Sequence, residues 1–76
     1  MSITPEQCKG ARAMLDMSRE DLATASSVGH RTIVDFERGA RQPHTSTLIL
    51  LRSALETAGV EFIAPNGGGP GVRLRE

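Results

Sequence analysis

SREDLATASSVGHRTIVDFERG, residues 18–39, reads as two short helices joined by a tight turn. Leu22 and Ala23 put small apolar side chains on the first helix, and Val28 follows five residues after Ala23. Ile33 and Phe36 then recur at helical spacing on the second helix, which spans about His30 to Glu37. That pattern suits a helix, a turn of three or four residues and a second helix packed across the first. The second helix turns His30, Arg31, Val34 and Asp35 outward. Polar side chains at the front of a second helix are what readout of a DNA major groove requires.

Working outward toward the N-terminus, Thr4-Pro5-Glu6-Gln7 is a helix start. Thr4 can cap, Pro5 suits the first helical position, and Gln7 can complete a capping box. The helix should reach about Leu15, with Gly10 its weak point and Cys8, Ala11, Met14 and Leu15 toward the core. Cys8 reads as a small buried apolar residue. Ser18 caps the next helix, with Glu20 and Asp21 in a first turn whose dipole favours acid; Arg19 runs against that preference.

Toward the C-terminus, residues 38–43 form a loop in which Gly39 suits a left-handed helix end and Pro43 delays the next helix. Thr45 or Ser46 caps a last helix that runs to about Ala58 and stops at Gly59. Leu48, Leu51 and Leu55 share its inner face. Ile49, Leu50 and Ala54 give it more apolar surface than one small core needs, available to the tail or to a second subunit.

The tail holds two strand-like runs, 60–63 and 71–75, around the turn-rich residues 66–70. An antiparallel hairpin would bring Glu61 and Arg73 together across strands. The glycines do not make a phosphate loop, since no Lys-Ser/Thr and no helix follow them. A lone hairpin is marginal and leaves open edges. Pairing with the hairpin of a second chain would bury Phe62, Val72 and Leu74; folding back on the last helix, or fraying, are the alternatives. The organisation is thus residues 1–59 as the helical domain and residues 60–76 as a hairpin tail suited to dimerisation.

Seventy-six residues make one small domain, which buries only about 60% of the surface of its unfolded chain. One cysteine rules out an internal disulfide framework and suits a reducing cytosol. No secretory leader or apolar run of membrane-spanning length is visible, so the expected location is cytoplasmic and no membrane partner is expected. Nine basic residues balance nine acidic ones, which weakens an argument for nucleic acid from charge alone. Eight of the nine basic residues are Arg, the side chain that grips phosphates and guanine edges with two parallel bonds. No nucleophile–base pair, cofactor loop or metal cluster is apparent, His30 making no ligand spacing with Cys8 or His44; neither an enzyme nor a cofactor is expected.

Ser18, Leu22, Ala23, Val28, Thr32, Ile33, Phe36, Glu37 and Gly39 match, in register, the helix-turn-helix of Xre/Cro-type phage and bacterial repressors. The likeness continues through Pro43, Thr47, Leu48, Leu51, Ala54 and Leu55, and covers roughly residues 6–60. The chain therefore resembles that family. The resemblance implies a mainly α, four-helix, lambda-repressor-like domain, here with a C-terminal β-hairpin. It implies base reading by His30, Arg31 and Asp35, with Arg31 suited to guanine. Asp35 could accept from a cytosine amino group or hold Arg31 in position. It implies phosphate contacts from Arg19, Arg38 and Arg41, and a buried structural ion pair between Arg12 and Glu37. Two positions depart from the pattern: Ser27 stands where the family has a turn Gly, and Gly29 where it often has a capping Ser or Thr.

The functional expectation is a sequence-specific regulator of transcription on double-stranded DNA, a repressor that binds a two-fold symmetric operator as a homodimer. The alternative is an antitoxin or interaction module that holds a partner protein through the tail.

Overall fold

The computed structural model describes residues 2–65 and 67–75; Met1, Asn66 of the expected turn and Glu76 of the expected tail lie outside the described residues. Helix α1 spans Pro5–Leu15, α2 Arg19–Ser26, α3 His30–Glu37 and α4 Thr45–Ala58; strands β1, Val60–Ile63, and β2, Gly71–Leu74, follow.

Local chemistry sets the helix ends. The Gln7 backbone N–H donates to Thr4 Oγ1 at 3.1 Å, and the Thr4 N–H donates back to Gln7 Oε1 at 2.9 Å. Ser18 and Asp21 repeat the device on α2, with bonds of 2.9 and 3.1 Å. Each box satisfies two of the donors that a helix start leaves open. Ser27 ends α2 at φ 62°, a left-handed conformation costing a non-glycine residue roughly 1–2 kcal/mol. Ser26 helps to hold that turn: its hydroxyl donates to the Leu22 carbonyl at 2.6 Å and accepts from the Val28 N–H at 3.2 Å.

Two expectations need correction. The last helix is capped by His44, without a side-chain bond, and Thr45 already lies inside it. His44 has the extended backbone of an N-cap residue, so Thr45 is already the first helical residue. Met14 is 45% exposed and not in the core. Leu15 takes the inward place in the last turn, near Gly59, and successive helical residues are rotated by about 100°.

The core joins Cys8 and Ala11 of α1, Leu22 of α2, Ile33 and Phe36 of α3, and Leu48, Leu51 and Leu55 of α4. Ile3, Val28 and Val60 complete it. Each large side chain buried this way contributes roughly 1.5–3 kcal/mol.

The strands pair antiparallel, with Glu61 opposite Arg73 and Phe62 opposite Val72. Arg73 Nε donates to Glu61 Oε1, the cross-strand pair that the spacing predicts. The hairpin rests on its own chain. Val60 is fully buried, and Phe62 and Val72 pack against the core. The Arg52 guanidinium lies 5.9 Å from the centre of the Phe62 ring. Gly10 has its use here: a Cβ at that position would stand 3.4 Å from Val72 Cγ1. Gln7 ties the hairpin down, its amide nitrogen donating to the carbonyls of Gly71 at 2.8 Å and Ile63 at 3.4 Å. Of the three residues read as a surface for a second chain, Phe62 and Val72 thus already have partners within the chain, while Leu74 is 55% exposed.

Candidate nucleic-acid interface

Three residues, Ser27, Val28 and Gly29, separate α2 from α3. Val28, Ile33 and Phe36 face the core, which fixes the roll of α3 about its axis. The opposite side is then obliged to point outward. His30 and Arg31 stand at its exposed front, and the Arg31 side chain is 79% exposed.

The outer side chains are linked to one another. His30 Nε2 lies 3.5 Å from Glu20 Oε2, a link from α3 back to α2. Asp35 Oδ1 lies 3.4 Å from Arg31 Nε and 3.9 Å from Arg38 Nη1. Both pairs have the i,i+4 or i,i+3 spacing at which helix neighbours meet. Arg41 is exposed in the loop that follows.

Beneath that face lies a second cluster, centred on Glu37. Arg12 grips the carboxylate with two bonds of 2.7 Å, from Nε to Oε2 and from Nη2 to Oε1. Arg19 Nε adds a third at 3.0 Å to Oε1, and the Cys8 thiol donates a fourth to Oε2 at 3.1 Å. Arg12 Nη1 also donates to the Met17 carbonyl at 3.1 Å. One carboxylate thus joins α1, α2 and the end of α3. Its side chain has no exposed surface. Burial alone would raise the Glu37 pKa, but the hydrogen bonds from Arg12, Cys8 and Arg19 outweigh it and hold the carboxyl below its usual range. Burial, and then the bond to Glu37, push the Cys8 thiol up, so it stays protonated and donates. The bond to Glu37 likewise raises the Arg12 pKa against the opposing effect of burial.

Arg19 belongs to the Glu37 cluster. It was read as a phosphate contact; it is bound by Nε to Glu37 and remains 39% exposed. Sequence reasoning missed the Arg19 and Cys8 bonds to Glu37, although Cys8 and Arg12, four residues apart, share one face of α1. It also missed the pairs of His30 with Glu20 and Arg38 with Asp35. Among the described residues no group of His, Cys, Asp and Glu is placed to hold a metal ion. No helix among them is long and apolar enough to cross a membrane.

This geometry is a short helix held by its inner side against the others, with polar side chains along the outer side. A family model for the helix-turn-helix (HTH_3) matches residues 9–62, from α1 into β1. The chain belongs to this Xre/Cro-like helix-turn-helix family, and is a DNA-binding regulator of that type. The family is one of regulators and not of enzymes. No curated protein matches the chain.

Proposed function

We propose that this chain is a cytoplasmic repressor that binds a two-fold symmetric operator in double-stranded DNA as a homodimer. In this reading His30, Arg31 and Asp35 form the base-facing set, and Arg19, Arg38 and Arg41 position the phosphate backbone. The observation that carries it is Arg31, a long donor fork projecting from the front of α3 with 79% of its side chain in solvent. Such a fork matches the O6 and N7 acceptors of guanine. Two copies of α3 would enter successive major grooves about 34 Å apart. Backbone contacts by arginine release counterions, so affinity falls as salt rises. Occupancy of a promoter would exclude polymerase.

Selection of sites from fragmented genomic DNA at physiological salt tests this reading. The wild type should enrich a short inverted repeat, and Arg31→Ala should lose or relax it. Enrichment of no sequence by folded wild-type protein would overturn the reading. For the homodimer, Leu74 is the one of Phe62, Val72 and Leu74 that stays mostly in solvent. Leu74→Arg should shift the mass seen by light scattering toward monomer; an undisturbed dimer would remove the hairpin from the interface.

A second reading, an antitoxin or interaction module, is favoured by apolar side chains that the hairpin leaves in solvent. Ile63 and Leu74 are both exposed apolar residues on the hairpin. Under that reading Leu74→Arg abolishes capture of a partner protein and leaves DNA selection intact.

A further inference from the structure

We propose that Asp35 is a positioning residue for DNA readout, bracing Arg31 and Arg38 from beneath and not reading a base itself. The inference rests on the regulator reading above and says how its base-facing set divides the work.

Three observations point the same way. First, one oxygen of Asp35 faces both arginines, 3.4 Å from Arg31 Nε and 3.9 Å from Arg38 Nη1. Second, the exposures are unequal. Asp35 keeps 18% of its side chain in solvent, against 79% for Arg31 and 59% for Arg38. A short acid below two long cations is badly placed to reach a cytosine amino group, and well placed to steer what lies above it. Third, the contact uses Nε of Arg31, the guanidinium nitrogen nearest the stem. The two terminal nitrogens stay at the outer end, as the fork that pairs with guanine O6 and N7.

Electrostatics supports the same division. A bare carboxylate on a DNA-facing surface would meet the phosphate field with like charge. Two arginines on one oxygen offset that charge locally, while the terminal nitrogens of Arg31 remain available. Restricting a long side chain before DNA arrives also reduces the freedom that binding must remove.

The test is a double-variant cycle on the full chain: wild type, Arg31→Ala, Asp35→Asn and the pair combined. Fluorescence anisotropy would measure binding to the selected operator, to operators changed one base pair at a time, and to unrelated DNA. Matched thermal unfolding midpoints certify the fold, and Asp35→Asn is nearly isosteric. Arg31→Ala should reduce the operator-to-unrelated affinity ratio on the order of tenfold or more, the discrimination of one good arginine–guanine pair. Asp35→Asn should reduce the ratio by a smaller factor, flatten the guanine preference at the Arg31 position alone, and add nothing once Arg31 is gone. Asp35→Glu, which keeps the charge four residues from Arg31, should recover part of the ratio. The inference is overturned if Asp35→Asn erases a cytosine preference at a base pair of its own, if the two losses multiply, or if the ratio rises. If wild-type protein prefers no operator, the regulator reading falls and takes the inference with it.

Discussion

Two carboxylates stand two residues apart on α3, and each faces two arginines. Glu37 has Arg12 and Arg19 at 2.7 and 3.0 Å and no exposed surface. Asp35 has Arg31 and Arg38 at 3.4 and 3.9 Å, and its arginines lie mostly in water. The residue types are nearly the same, but the surroundings differ. Around Glu37 little water competes, so removing its carboxylate or the two-bond partner Arg12 leaves a charge stranded in the interior. Around Asp35 water screens the pairs, so they add little to folding and their arginines stay available to a ligand. One helix therefore carries a cluster that fixes its place in the fold and, half a turn away, a cluster left open to solvent.

Glu37→Gln should break the comparison most visibly, with a loss of roughly 3–5 kcal/mol, the usual cost of stranding one side of a buried pair. A domain of this size has little more to lose. Urea unfolding followed by circular dichroism measures it; a loss under about 1 kcal/mol would put the two clusters on an equal footing.

Acid should attack the same cluster without mutation. The Glu37 pKa is lowered on folding, so its contribution is fully present above the ordinary carboxylate value, about 4.3, and is lost as pH falls through the lower folded value. Urea unfolding repeated from pH 7 down to pH 3 should show stability falling below about pH 4.3. A flat profile there would contradict the assignment.

Arg19→Ala comes next, since Arg19 is only partly enclosed. The stability loss should stay at or below about 1 kcal/mol. The slope of log affinity against log salt should become shallower by about one unit if Arg19 neutralises a phosphate. An unchanged slope would restrict Arg19 to the Glu37 cluster.

Asp35→Asn should have the smallest effect on folding, within about 0.5 kcal/mol. Its consequence should be confined to sequence preference. A large folding loss would erase the contrast between the two carboxylates.

Much of the fold was legible because its signals are local. The box at Thr4, the cap at Ser18 and the inward pair Ile33 and Phe36 all follow from spacing within one or two turns, while the turn position of Ser27 came from the family likeness. The hairpin register was legible for the same reason, from the alternation around Glu61 and Arg73. The meeting of Arg12 with Glu37 came from the family likeness and from nothing in the spacing. What remained hidden depends on elements meeting at a distance. Gln7 announces a capping box but not that its amide nitrogen will hold two strands. Gly10 reads as a flaw in a helix until Val72 is seen against it. Arg19 reads as a free surface cation because its partner lies eighteen residues away on another helix.

Gln7 also imposes an order in time. The carbonyl of Gly71 that accepts from its amide lies sixty-four residues further along the chain. At the ~5–20 residues per second of synthesis, roughly 3–13 s pass between the two. During that interval the four helices exist as sequence, yet the inner side of the first one has an amide without acceptors and a groove at Gly10 without Val72. The nascent chain must keep that side in water, or lend it to something else, until β2 emerges. That side of α1 is therefore completed only after β2 has been made, although the rest of the helix can pack on α3 and α4 before then.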